Sequence, residues 1–477
     1  MKSIEELLVS KGIIPERPPS LDAKGHRIDI FPANVKGRFR TARNIVYTLL
    51  LLLFLVVPWT KFGGKQTIQL DLWNKEFTFF GTTLMAHEGP MVFFLFGVVV
   101  FALLLATAMY GRVWCGWACP QTVFIDGVFR RIEEWVEGNH IKRKKLADAP
   151  YNKEKIFKKS LKWFLFLVIS SHIAHSIVAY FMGAQSLFWT SLEGPKGHGT
   201  LFIFVQIFTA LIAVNFGWFK EQFCLVACPY GRLQSALMDK NTTTVIYDYK
   251  RGEPRRQNKD IPYADCVNCF KCVAVCPTGI DIRDGEQLEC IGCTACIDAC
   301  DNVMEKIGKP KGLIRYASEA EVADGRDHKK PFNTRALLYA LGLLAMILSL
   351  AAFVYYRDDV STQVFRATDS PYQISQSAQG AVVTNHFKIN TVNQGSVGID
   401  ELKFTVDDPD VEIITPQLQS NLKPGEQNWM HVFLRLPFSK LKNGAYDLGW
   451  NLNYKSKNEK TIKGRLKIIG PDKIKGK

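Results

Sequence analysis

The stretch "PMVFFLFGVVVFALLLATAMY", residues 90–110, contains no charged side chain. A bilayer core about 30 Å thick takes roughly 20 helical residues to cross. In lipid the backbone must satisfy its own hydrogen bonds, so a run like this reads as a membrane-spanning helix. Comparable runs lie at 44–59, 161–183, 201–219 and 335–356, giving five spans. The first has the shortest strictly apolar part and ends at Pro58. About forty polar and basic residues precede it and no small-residue cleavage site follows it, which argues for a span rather than a cleavable signal peptide.

A chain that is 47% hydrophobic and yet carries a net charge of +15 must segregate the two kinds of residue along its length. Lys and Arg mark the cytoplasmic flanks of spans. Arg27, Lys36, Arg38, Arg40 and Arg43 precede the first run, and Arg130, Arg131, Lys142, Arg143, Lys144 and Lys145 follow the second. Residues 60–89 and 184–200 are poorer in basic side chains, so they are expected on the outer face. Five spans then put the tail outside the cytoplasm. Cysteine placement agrees: all twelve lie in the expected cytoplasmic segments or at their edges, and the tail has none. Thiols kept on the reducing side are not structural disulfides.

Between the fourth and fifth runs stands "CVNCFKCVAVCPTG", with Cys266, Cys269, Cys272 and Cys276, followed by "CIGCTACIDAC", with Cys290, Cys293, Cys296 and Cys300. Each is C-x2-C-x2-C-x3-C, the spacing of two-cluster bacterial ferredoxins, in which three closely spaced thiolates hold three corners of a cubane and the last Cys of each run serves the other cluster. The expected ligand sets are Cys266, Cys269, Cys272 and Cys300 for one 4Fe-4S cluster, and Cys290, Cys293, Cys296 and Cys276 for the other. Four-thiolate zinc uses C-x2-C pairs too, but has no need of the doubled four-cysteine run. Cys300 is followed by Asp301 where the ferredoxin pattern has proline. That change bears on cluster exposure rather than on ligation.

Two further pairs, Cys115/Cys119 in "RVWCGWACPQ" and Cys224/Cys228 in "QFCLVACPYG", each follow an apolar run and end in Cys-Pro. The repeat of span, aromatics and C-x3-C-P suggests that two spans bring four thiols together, with each pair on one helix face. Buried thiols of no special role, a reversible dithiol and a metal site remain open, the metal being copper first, with zinc or another iron–sulfur centre behind it. Cu(I) prefers thiolate and accepts low coordination numbers. His172 and His175 fall within the third run, where ionisable groups are functional candidates. They are candidate copper, quinone or haem contacts, or interhelical hydrogen-bond partners with Ser170, Ser171 and Ser176. His87, with Met85 nearby, is a candidate outer copper contact or an ordinary surface residue.

With the spans, both C-x3-C-P pairs, the double run and "CIDACDNVMEKIGKPKGLIRYAS" in view, the chain resembles the cytochrome c oxidase accessory proteins CcoG, also called FixG or RdxA. The resemblance covers nearly the whole length. It implies a bacterial inner-membrane protein that reduces Cu(II) to Cu(I) for assembly of a haem-copper oxidase, with two 4Fe-4S clusters on the eight ferredoxin cysteines and copper-handling thiols at Cys115, Cys119, Cys224 and Cys228. No role transfers to the histidines.

From about Ser361 the pattern alternates, as in "NWMHVFLRL" and "YDLGWNLNY", with turn signals such as "DDPD", "LKPGE" and "KNG" between. This predicts an immunoglobulin-like β-sandwich, expected to dock the oxidase or a copper chaperone or to serve as a plain folded cap. The expected fold is therefore an α-helical membrane bundle with a ferredoxin-like module and a β-sandwich. Its parts are an N-terminal arm at 1–43, a four-span region at 44–240, the ferredoxin-like module at 241–333, a fifth helix at 334–357 and the outer domain at 358–477. Two other functions stay open: a quinol dehydrogenase feeding a partner reductase, and a copper-binding scaffold with structural clusters. The electron donor is not legible, and no nucleic-acid motif is present.

Overall fold

In the computed structural model the described residues are 28–472, apart from 74–75, 86–88, 257–263, 326–333, 357–359, 369, 378–379, 394–397, 400, 415–421, 424–425 and 456–458. The chain divides into two compact units, Met1–Ala351 and Ala352–Lys477.

Among the described residues five helices are long and apolar enough to cross a membrane. They are α1 (Arg38–Val56), α2 (Gly89–Tyr110), α3 (Lys153–Met182), α4 (Gly199–Val214, whose span continues through a π-helical turn to Phe219) and α5 (Thr334–Tyr355). α1 gives way at Pro58 to one tight turn, Val57–Trp59, because proline lacks the N–H that would continue the ladder. α3 and α4 pack on each other through Phe166, Ile173, Val178, Val205, Ile212 and Phe216, with Phe124 and Phe129 from the segment after α2. Many large apolar side chains on the outer faces of α1, α2, α4 and α5 remain exposed, Leu49, Phe96, Ile203 and Leu344 among them. That is the pattern of helices solvated by lipid on one side.

The ferredoxin-like region is closed by an antiparallel pair of short strands, Thr244–Tyr247 and Ile314–Ala317. Val245, Tyr247, Ile280, Ile282, Ile297, Met304, Leu313 and Ile314 form its core around the cysteines. Cys272 lies on the short helix Lys271–Ala274, and Cys300 lies inside the helix Ala295–Lys306.

The second unit is built from strands. In the first sheet, β1 (Val360–Arg366) and β2 (Gln373–Ser377) both pair with β3 (Gly380–Asn393). A second sheet contains β4 (Glu401–Val406). β5 (Glu412–Ile414) and β6 (Gln427–Pro437) complete the first sheet in the order β5-β6-β3-β1. β7 (Ala445–Lys455) and β8 (Glu459–Ile469) complete the second in the order β4-β7-β8. All pairings are antiparallel. Phe387, Ile389, Val432, Leu434 and Leu436 of one sheet share a core with Phe404, Leu448, Trp450, Leu452 and Ile468 of the other. Strict alternation of buried and open positions along Gln427–Phe433 puts Met430 and Val432 inward and Trp429 and His431 outward, as the period-2 geometry of a strand requires.

Candidate functional site

Expecting each Cys-x3-Cys pair on one helix face proves wrong in detail. Cys115 sits on the short helix Val113–Trp117, but Cys119 is extended (φ −61°, ψ 126°) and opens the next helix, Pro120–Phe124. Cys224 lies in a widened π-helical turn, Phe223–Ala227, and Cys228 is likewise extended before Pro229–Leu237. The cause is the proline. It disfavours helical conformation in the residue before it and is itself well placed as the first residue of a new helix. Each pair therefore straddles a helix break.

The two breaks still bring the thiols together. Cys115 lies in the electrostatic reach of Cys119 and Cys228, and Cys224 in that of Cys119, Cys115 and Cys228. Burial pushes the Cys115 thiol up to about 12, reinforced by Cys119 and Cys228. Burial also raises Cys119 and Cys224. These three are neutral thiols at pH 7, and a thiophilic cation would displace their protons. Cys115 Sγ donates to Gln234 Oε1 at 3.1 Å, and Gln234 is fully buried.

Beside them stands the second ferredoxin loop. The backbone of Gly116 is so close to it that a Cβ there would lie 2.5 Å from the Gly292 carbonyl oxygen, and Gly292 has φ +65°. Only glycine permits both the approach and that conformation without strain. The two loops share their winding: Asn268 and Gly292, and Phe270 and Thr294, are all left-handed at matching places in the two C-x2-C-x2-C segments. Cys266, Cys269, Cys272 and Cys300 line one cavity with Tyr247, Phe270 and Arg283. Burial, then Cys272, Cys266 and Cys269, raises Cys300 to about 12. Cys290, Cys293, Cys296 and Cys276 form the other group, with Cys296 driven upward by burial and then by Cys293, Cys290 and Cys276. Among the described residues no three His, Cys, Asp or Glu side chains converge on a single-ion site. Four thiols that line one cavity, three of them from a single tight loop, fit a four-iron cluster.

A charge network ties these loops to the membrane helices. Arg43 of α1 donates to the Cys293 carbonyl (2.6 Å), to Asp126 (2.6 Å) and to the Tyr47 hydroxyl (2.8 Å), and Tyr47 donates to the Gly116 carbonyl at 2.7 Å. Asp126 also pairs with Arg40 and with Arg130, which reaches on to Glu221. Burial alone would raise Asp126, but Arg130, Arg43 and Arg40 overcome it and hold the carboxyl at about 2. Asp298, on the helix that carries Cys296 and Cys300, accepts from the Phe39 and Arg40 N–H groups at 3.2 and 2.7 Å. It thereby caps the start of α1 from another element. Asp301, standing where proline was expected, accepts from the Gly312 N–H at 2.9 Å.

Sequence reasoning missed Tyr47, Asp126, Gln234 and Asp298, and read Arg43, Arg130 and Arg143 only as markers of sidedness. Arg43 and Arg143 are instead buried, and Arg143 pairs with Glu133. The lone acid of "VFIDGVF" was the available signal, since a charge among apolar residues needs a partner. His172 is exposed on α3, while His175 Nδ1 meets the Ser171 carbonyl at 2.7 Å and Ser176 bonds the His172 carbonyl. The serine contacts are thus within one helix rather than between helices. His87 lies outside the described residues.

Family comparisons agree with this chemistry. A 4Fe-4S dicluster domain matches residues 219–319, and a 4Fe-4S binding domain matches residues 90–145. The fold and the site define an iron–sulfur electron-transfer protein with helices suited to crossing a membrane several times. Protein RdxA of Cereibacter sphaeroides is 37% identical over 353 residues, covering 71% of this chain and 74% of its own. Protein RdxB of the same organism is 38% identical over 365 residues, 72% of this chain and 75% of its own. The nitrogen fixation protein FixG of Rhizobium meliloti is 39% identical over 311 residues, 62% of this chain and 58% of its own. The chain belongs to the FixG/RdxA family.

Proposed function

We propose that this protein reduces Cu(II) to Cu(I) at Cys115, Cys119, Cys224 and Cys228 during assembly of a haem-copper cytochrome c oxidase. The observation that carries the reading is the backbone contact between Gly116, in the first C-x3-C-P segment, and Gly292, between Cys290 and Cys293. It sets an electron-carrying loop directly against paired thiols. In this reading Cys266, Cys269, Cys272 and Cys300 hold one 4Fe-4S cluster, and Cys290, Cys293, Cys296 and Cys276 hold the other. Such clusters supply reversible storage and transfer of single electrons.

Copper is the substrate, and each ion takes one electron. Two thiols suffice for the product, because Cu(I) accepts two-coordination by soft sulfur. Release of thiol protons on binding makes uptake of the ion weaker as pH falls. Gln234, hydrogen-bonded to Cys115, orients that sulfur. The Arg43–Asp126–Tyr47 network holds Gly116 and Cys293 in register.

The positive-inside pattern supports placing the N-terminal arm and the ferredoxin-like region in the cytoplasm of a bacterial cell, in its inner membrane. The cysteine-free strand domain is then periplasmic. We read that domain as an immunoglobulin-like sandwich that docks an oxidase assembly factor or copper chaperone.

The test is anaerobic reduction of the purified protein followed by Cu(II) addition under EPR. Loss of the Cu(II) signal together with reoxidation of the iron–sulfur signal is expected. Persistence of the reduced iron–sulfur signal while Cu(II) remains would end this reading. A second reading has one specific support: the 4Fe-4S binding domain match at 90–145 includes Cys115 and Cys119, so the four thiols would hold a third cluster. Iron analysis separates the two, since a third cubane raises the content from about eight to about twelve irons per chain.

A further inference from the structure

A cavity of about 380 Å³ lies against the second cluster loop, and the copper chemistry leaves it unused. Cys290 and Gly292 form part of its wall, so its contents sit against a cluster thiol. Tyr110, the last residue of α2, forms another part. The Thr243 N–H donates to the Met109 carbonyl at 3.0 Å and the Thr242 hydroxyl to the Ala108 carbonyl at 3.1 Å, which fastens the ferredoxin-like region to the end of that helix. Arg112 also borders the cavity and is the first charged residue after the uncharged run 90–110. The cavity therefore stands where the hydrocarbon gives way to the charged edge, within reach of a molecule dissolved in lipid.

We propose that this cavity binds a lipid-soluble hydroquinone and that the hydroquinone is an electron source for the clusters. The volume is that of a small-molecule site. Met238, Leu288 and the Tyr316 ring offer apolar surface to a flat ring. The Tyr316 hydroxyl accepts from Trp117 Nε1 at 3.2 Å and can give its own proton to a ligand oxygen. Glu286 and Glu319 line the same cavity and are exposed, so each can take a proton and pass it to water. A hydroquinone needs all three services, because its oxidation breaks two O–H bonds and releases two electrons and two protons. One electron enters the cluster on Cys290, Cys293, Cys296 and Cys276 and moves on to the cluster on Cys266, Cys269, Cys272 and Cys300. The second electron then refills the first acceptor, so each cluster gains one and a quinone leaves. The second loop thus faces donors from lipid, while the first stays open to donors from water. The proposal rests on the cluster assignment and not on copper reduction, so the two can fail separately.

The experiment uses full-length protein in detergent, without copper, and has two readouts. Binding of menadione, a tailless naphthoquinone, is measured by equilibrium dialysis, and one equivalent per chain is expected. Anaerobic addition of its reduced form, menadiol, should raise the EPR signal of reduced clusters, with iron content reporting cluster loading in every variant. L288W puts an indole into the cavity and should weaken binding by about tenfold or more. Y316F removes one hydrogen bond and should weaken it by about fivefold. Leu288 is 68% exposed, so L288W decides the matter even if Y316F disturbs Trp117. Absence of menadione binding, binding without cluster reduction by menadiol, or binding and reduction that L288W leaves intact overturns the site.

Discussion

The two C-x2-C-x2-C loops have the same spacing and the same left-handed positions, yet they face different surroundings. In the first, Cys269 is open and Phe270 is 53% exposed, with Arg283 over its ring at 4.2 Å and bonded to Asn268 at 2.6 Å. In the second, the equivalent Thr294 is 1% exposed, Cys293 is buried, and the backbone is pinned by Arg43 and pressed by Gly116. In the proposed relay, one sequence device would thus serve two ends. The first loop can meet a partner from solvent, while the second is fixed to the membrane-edge thiols.

The sharpest attack on this contrast is at the second loop. C293S should lower Cu(II) reduction by more than about 100-fold, measured by stopped-flow loss of the Cu(II) signal. C269S should lose less when a small diffusible reductant such as dithionite is used, since that donor can reach past the solvent-facing loop. Equal losses in the two variants would erase the distinction between entry and exit.

Next in size is the network behind the second loop. D126N leaves the buried Arg43 without its carboxylate and should cost about 3 kcal/mol in denaturant unfolding of the detergent-solubilised protein. The Asp126 carboxyl is depressed to about 2 in the fold, against an ordinary value of 3.8. Its contribution is therefore present above about pH 4 and is lost as pH falls through about 2. The gap between parent and D126N should close over that window and stay constant above it.

A smaller effect is expected at the contact itself. G116A places a methyl group 2.5 Å from the Gly292 carbonyl, so the loops must part, at a cost of about 1–3 kcal/mol. Copper reduction should fall while the iron–sulfur absorbance stays. Unchanged reduction would mean that this contact does not carry the electron. Smallest is D298A, which removes the cap on α1 and should cost about 1 kcal/mol in the same unfolding measurement.

The cysteine runs were legible because cluster-binding spacing is local, and the spans because lipid imposes length and apolarity on each helix separately. The alternating tail announced strands for the same reason, since the period of 2 is a property of single strands. The Cys-Pro breaks were half legible. Pro120 and Pro229 were in view, but helical spacing was followed where the residue before each proline is held extended. Of the networks only Asp126, a lone acid among apolar residues, gave a signal, and its partners were not legible. Arg43 is separated from Asp126 by 83 residues and from Cys293 by 250, and nothing local to Arg43 distinguishes a buried partner from a charge that marks the inner face.

What the sequence by itself determined is the chemistry available: eight thiols in ferredoxin spacing, four more before or at prolines, and five helices that water cannot solvate. Only the tertiary structure decided where that chemistry meets. Gly116 against Gly292, Asp298 capping α1, and Tyr316 beside Trp117 are contacts between segments far apart in the chain. Such contacts depend on how helices and strands pack, which no spacing along the sequence encodes.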